Sequence, residues 1–409
     1  MPELLSPAGN FEKMVSAIRY GADAVYLAGN DFGMRAAAAN FTLDELKSAV
    51  EYAHARKKRV HLTVNTMPHD DEYPRLSEYL DSIKDLGIDA FIVADIGVIN
   101  LILQKMPNAE IHLSTQASTL SSASCRAWHS LGVKRVVLAR ELNLEEIKRI
   151  RENTPPDLQL EAFIHGSMCI SLSGRCLLSN YLCGRDANRG ACAQPCRWDY
   201  EYTIMQKDEE LGISENKNGT FIMASKDMCL IEHIPKLLGA GIDSFKIEGR
   251  MKSAYYTAVV TNTYRMAIDS YLKDKENYKL DPHWCDELDS VSHREYCTGY
   301  YFDSPHKNAQ TVSNNGYLRE KAYLAMVDEV FDDERGNGKF AVLVQRNKFS
   351  SFDDVELLTP GKCGRLINVG QLKAEDGEDL ESVPHPYMRF KMKCDGDIHV
   401  GDILRGTSK

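Results

Sequence analysis

No stretch of the chain approaches the ~18 consecutive apolar residues that a membrane span requires, so no spanning segment is expected. The N-terminal MPELLSPAGNFEK places no basic stretch before an apolar one, so no secretory signal is expected either. Positive charge is in short supply. Lys and Arg number 49 against 59 Asp and Glu, and the net charge of −10 disfavours a protein that coats nucleic acid through bulk charge. There is no HExxH for a zinc peptidase and no GxSxG for a serine nucleophile. No GxGxxG follows the first strand-like run, which counts against a dinucleotide-binding sheet. A cytoplasmic location follows as the expectation. In that reducing compartment thiols serve metal binding or redox work more readily than disulfides.

What is present reads as ordinary globular composition, with 43% hydrophobic and 26% charged residues over 409 positions, enough for two or three domains. Four segments share one rhythm: RYGADAVYLAG (19–29), DLGIDAFIVAD (85–95), SLGVKRVVLAR (130–140) and GAGIDSFKIEG (239–249). In each, a glycine suited to a left-handed helix C-cap precedes an apolar run of strand length. Further β-like runs lie at 3–9, 59–65, 110–116 and 158–166. TLDELKSAVEYAHARK (42–57) and NLEEIKRIREN (143–153) read as amphipathic helices with acidic starts and basic ends. Eight apolar strands alternating with helices indicate an α/β fold, a TIM-like (β/α)8 barrel over residues 1–270 with a Cys-rich insertion at 166–230. Residues 271–316 read as a connector, and 317–409 as a small C-terminal antiparallel β-barrel domain of alternating strands and glycine turns. Its near-neutral to acidic charge leaves packing or dimerisation level with nucleic-acid contact as its role.

Polar residues gather where strands end: Ser6 and Asn10, Asn65, Asp95, Ser114 and Gln116, Arg140 and Glu141, His165, Lys246, Glu248 and Arg250. In a barrel of this type those positions ring the mouth where active sites are built. Any one of them could instead be a helix N-cap, Asn10 and Asp95 above all.

Eleven cysteines fall into two groups. Cys125, Cys285, Cys297, Cys363 and Cys394 are scattered, as buried small hydrophobes would be. Cys169, Cys176, Cys183, Cys192, Cys196 and Cys229 cluster near the last barrel strands. Zinc knuckles use two close pairs, and here only Cys192 and Cys196 are so spaced, so thiols drawn from a long loop suit an iron–sulfur cluster better. Gly166, Ser167, Ser171, Ser173 and Gly174 let the backbone turn closely around such a group. Arg175, Arg185, Arg189 and Arg197 in the same segment either keep it soluble or contact phosphate or carboxylate groups.

The run Glu161-Ala-Phe-Ile-His-Gly-Ser-Met-Cys169, with Gly174-Arg-Cys176-Leu-Leu-Ser179, closely resembles the signature of the collagenase-like peptidase family. SPAG near the start, KD before Cys229 and KIEGRMKS at 246–253 extend the resemblance along the chain. The family includes prephenate-dependent tRNA uridine hydroxylases, and the chain looks most like that branch. The resemblance implies oxygen-independent hydroxylation of a wobble uridine to 5-hydroxyuridine, with prephenate as hydroxyl donor and tRNA as partner. It also implies a [4Fe-4S] cluster on Cys169, Cys176, Cys192 and Cys229. A dicarboxylate donor calls for cations at the mouth, for which Arg35, Lys246 and Arg250 are the candidates, with His165 and Glu248 as acid and base. Two other readings stand beside this one. The first is a peptidase using Cys169 with His165, which cluster ligation by Cys169 would preclude. The second is a cluster-bearing partner subunit, since some relatives work in pairs; a homo- or hetero-oligomer therefore remains open.

Overall fold

A computed structural model describes residues 1–33, 40–169, 171, 176, 178–185, 187, 191–197, 205–206, 209–210, 225–302, 318–332, 339–351, 353–394 and 397–407. They form two compact units. The first comprises 1–18, 22–252 and 293–317, the second 19–21, 253–292 and 318–409.

The first unit is a closed parallel barrel. Its eight strands are Glu3–Pro7, Ala24–Leu27, Arg59–Val64, Ala90–Val93, Ile111–Leu113, Val133–Val137, Gln159–Ser167 and Ser244–Ile247. Each pairs in parallel with the next, and the eighth pairs with both the seventh and the first. These are the eight runs expected from the sequence. The repeated glycines act as anticipated: Gly21, Gly87, Gly132 and Gly241 have φ of 106°, 76°, 93° and 74°, a backbone region closed to most side chains. Helices Leu43–His54 and Leu144–Glu152 open on complete capping boxes, Thr42 with Glu45 and Asn143 with Glu146. One strand departs from the (β/α) rhythm. Asp227–Cys229 runs antiparallel to the seventh strand, setting Cys229 opposite His165, and pairs on its other side with Tyr296–Cys297.

The barrel interior carries buried charge. Arg135 donates to Glu161 at 3.0 Å and to Glu3 at 2.5 Å, and Lys246 donates to Glu161 at 2.7 Å. Burial alone would raise the Glu161 carboxyl, but Lys246 and Arg135 overcome it and hold the pKa at about 2. A depressed carboxyl stabilises the fold above its unfolded value of about 4.3, and that contribution is lost as pH falls towards about 2. Glu161→Gln should therefore cost about 3–5 kcal/mol near neutral pH, because two buried cations lose their counter-charge. The gap between mutant and wild type should close in acid. Urea titrations at pH 7 and pH 3 measure both, and an equal gap at the two pH values would remove the carboxylate from this role.

In the second unit the C-terminal strands form one eight-stranded antiparallel sheet built around Lys321–Asp332, Lys339–Gln345, Arg389–Cys394 and Ile403–Thr407. Its end strands, Arg365–Ile367 and Asp379–Leu380, do not pair with each other among the described residues, so the expected antiparallel module is a half-barrel. Leu324, Leu343, Phe390 and Leu404 lie in its core. Helix Ala254–Lys273, which the sequence reading attached largely to the barrel, groups with this sheet, as does Pro282–Asp289 from the expected connector. The fastening is visible. Arg405 forms a two-pronged pair with Glu287 at 2.7 Å on each arm, and Asn262 bonds the backbone of Gly361 and Lys362.

Candidate active site

At the carboxyl ends of the barrel strands lies a cavity of about 160 Å³. Asn65, Ser114, Gln116, Arg140, Lys246, Glu248 and Arg250 line it, all drawn from the polar strand-end set. Asn10 and Asp95 do not. Their side chains accept from the amides of Lys13 at 2.9 Å and Val98 at 3.0 Å, so they are the helix caps they could have been.

The eighth strand and the turn after it supply Lys246, Glu248 and Arg250, placed by unusually close backbone packing. A β-carbon on Gly9 would stand 2.2 Å from the Arg250 carbonyl oxygen, and one on Gly166 would stand 2.4 Å from that of Glu248. Gly166 also has φ of 107°. The SPAG and HG motifs are thus the surfaces against which the KIEGR turn is pressed. Gly166→Ala should cost about 1–3 kcal/mol in strain, with further loss from displacement of Glu248. Thermal melting together with substrate-analogue binding checks this, and a variant equal to wild type in both would show that the turn tolerates the shift.

The cations differ in their engagement. Arg250 is 4% exposed, and its Nη1 donates to Thr63 Oγ1 at 3.2 Å. Lys246 is held by Glu161 and sits 4.6 Å from the centre of the Tyr26 ring, so much of its charge is already answered. Arg140 was not singled out as a substrate contact from the sequence. Its guanidinium lies 4.8 Å from the centre of the Phe163 ring and donates to the Ser167 carbonyl at 2.9 Å. Asn65 and Gln116 were likewise missed as a pair; Asn65, just past the third strand, donates to Gln116, just past the fifth, at 2.8 Å. Strand-end position was the sequence signal for all three, but it does not say which side chains turn inward. Arg35 lies outside the described residues.

His165 is placed elsewhere. It is 1% exposed and is not among the residues lining the cavity; its ring centre lies 5.4 Å from that of Tyr296. Burial, with His293 and Lys252 adding to it, lowers its pKa to about 3. A neutral imidazole packed among rings suits support of the seventh strand rather than the acid–base part expected of it. Among the cavity residues Glu248 is the carboxylate.

Cys169, Cys176 and Cys192 reach the cavity wall, and so does Cys196; Cys229 is on the strand opposite His165 and is not part of that wall. All the cysteines are free thiols. The Gln194 amide donates to Cys192 Sγ at 3.4 Å, within a turn that holds Gln194 at φ of 57°. Among the described residues no three His, Cys, Asp or Glu side chains converge as ligands of a single ion. Each thiolate of a four-iron cluster holds a different iron, so its donors need to be gathered, not convergent. Soft donors gathered on one wall with an amide directed at sulfur fit that group. Of the arginines in the segment, Arg185 donates to the Ala191 carbonyl at 3.1 Å, while Arg175 and Arg189 lie outside the described residues.

Two family models match the chain: Peptidase family U32 over residues 9–311 and Peptidase family U32 C-terminal domain over 319–405. Among similar proteins, "tRNA hydroxylation protein P1" of Bacillus subtilis is 38% identical over 99% of this chain and 94% of its own length. "tRNA hydroxylation protein P" of Escherichia coli is 35% identical over 88% of this chain and 86% of its own length. "Collagenase" of Porphyromonas gingivalis is 32% identical over 79% and 78% respectively.

Proposed function

The chain belongs to peptidase family U32, and from that premise we propose that it is an RNA-modifying hydroxylase acting on tRNA. The observation that carries the reading is one cavity, at the catalytic end of a barrel, lined jointly by thiols and by the guanidinium groups of Arg140 and the buried Arg250. The names of the Bacillus subtilis and Escherichia coli relatives support tRNA as substrate. In its finer form the reaction converts the wobble uridine to 5-hydroxyuridine without molecular oxygen, and prephenate supplies the hydroxyl group.

Cys169, Cys176, Cys192 and Cys229 would hold the [4Fe-4S] cluster, with Cys196 the neighbouring fifth thiol. Such a cluster supplies one-electron chemistry or a Lewis-acidic iron when bound. The chain's own residues do the rest. Arg250 and Arg140 orient the carboxylates of the donor, and the cost of burying Arg250 is offset when an anion arrives. Lys246, already balanced by Glu161, keeps the floor of the cavity close to neutral, so the guanidinium groups determine where a dianion sits. Glu248 is placed to accept or return a proton. The apolar wall of Tyr26, Ile92, Val137 and Phe163 would exclude water from a nonaromatic ring such as that of prephenate.

The peptidase reading draws on the name of the Porphyromonas gingivalis relative. It needs Cys169 and His165 to act together on one surface, and His165 is absent from the cavity wall that Cys169 shares. Nucleoside analysis of tRNA from a gene-deletion strain grown without oxygen tests the hydroxylase reading. Loss of 5-hydroxyuridine-type nucleosides, restored by the gene, is the expected result; an unchanged profile would overturn it.

A further inference from the structure

We propose that the C-terminal sheet carries a stacking platform for an unpaired RNA base, centred on Tyr387; this rests on the RNA-directed reading above. Three rings and one guanidinium form a ladder running outward through the second unit. Tyr255 is buried and stacks on Tyr323, with ring centres 5.8 Å apart and planes 23° apart. The Arg346 guanidinium follows, 5.8 Å from the centre of the Tyr323 ring and 4.9 Å from that of Tyr387. Tyr387 ends the ladder at 71% exposure. A ring backed by a planar cation and open to solvent is a place for another planar π-system.

The backbone of Tyr387 points the same way. Its φ is 61°, a left-handed conformation that a bulky aromatic residue rarely adopts. The Tyr387 amide donates to the Gln345 carbonyl at 3.1 Å, and the Arg346 amide donates to that of Leu324 at 2.7 Å, which pins the two partners together. Strain of this kind persists where the surroundings over-determine it and tends to mark sites of use.

The chemistry nearby selects the occupant. Arg319 and Lys348 line a neighbouring cavity together with Asp353, Asp354 and Glu381, so both signs are present there. Arg389, two residues beyond the ring, is already engaged by Asp328, Glu329 and Glu375. Among the described residues these cations are accompanied by acids, which weakens any grip on phosphates. Recognition therefore falls to the ring and the guanidinium plane, which accept any base because every base presents a π-face.

The test uses the full-length chain and fluorescence anisotropy with a labelled single-stranded RNA of mixed sequence and with bulk tRNA. Tyr387→Gly removes the ring while relieving the left-handed strain, so its melting temperature should equal or exceed that of wild type. Its RNA affinity should nevertheless fall about tenfold, the scale of one lost base stack. Tyr387→Trp should restore binding, and Arg346→Ala should weaken it. The salt dependence of binding should keep its slope in Tyr387→Gly, since no phosphate contact is lost. Unchanged affinity in Tyr387→Gly would overturn the platform and leave the tRNA reading standing, which nucleoside analysis of the deletion strain judges separately. No RNA binding by the wild type would also overturn the platform. If Tyr387→Gly changed the sedimenting mass and left RNA affinity alone, the ring would be a contact between copies, and the platform would fall.

Discussion

Protein prepared without oxygen is expected to be brown, with about four irons and four acid-labile sulfides per chain. Alanine at Cys169, Cys176, Cys192 or Cys229 should each bleach it. Alanine at Cys125 or Cys363 should not. Burial pushes both of those thiols up to about 11, so they stay protonated at neutral pH, where a ligand must be a thiolate. The informative comparison is Cys229→Ala with Cys196→Ala. Three proposed ligands share the cavity wall with Cys196, whereas Cys229 sits on the antiparallel strand beside His165. Colour retained in Cys196→Ala and lost in Cys229→Ala keeps the proposed ligand set; the reverse pattern exchanges the two residues. A colourless protein holding one zinc per chain would end the cluster proposal, and iron and sulfide assays with the visible spectrum read every one of these outcomes.

Arg250→Ala should abolish hydroxylation while leaving the cluster spectrum intact. A dianionic donor in a partly dry cavity must be met by at least one guanidinium, and removing it should cost ~2–5 kcal/mol of binding. Arg250 is the strongest candidate because it is buried, lines the cavity and is oriented by Thr63 from the third strand. Arg250→Lys keeps the charge without the planar fork, so it should recover only part of the activity. The measurement is nucleoside analysis of tRNA from cells carrying each variant, grown without oxygen to suppress other routes. Normal modification with Arg250→Ala would remove this residue from the mechanism. Arg140 would then be the next guanidinium to change.

Much of the architecture is legible in the sequence. Period and punctuation are local properties: an apolar strand of three to nine residues, a glycine where φ must be positive and an acidic first helical turn are each written within one short window. Hence all eight barrel strands, the four positive-φ glycines and the acidic starts of helices Leu43–His54 and Leu144–Glu152 stand where the residues implied. Strand-end position likewise marked Asn65, Gln116, Arg140, Lys246, Glu248 and Arg250 as neighbours of the mouth, because a parallel barrel delivers every carboxyl end to the same face. What only the tertiary structure decided was orientation and partnership, which depend on residues far apart in sequence. Lys246 and Arg250 stand four positions apart, yet one is neutralised by Glu161 and the other faces the cavity beside Thr63. His165 was placed at a strand end correctly, but the extra antiparallel strand beside it shields it from water, which no local pattern announces. Helix Ala254–Lys273 follows the last barrel strand in sequence and yet belongs with the C-terminal sheet, because Asn262 finds its partners a hundred residues downstream. The stacked ladder ending in Tyr387 needed four residues from four separate segments, and only the folded chain sets them in a row.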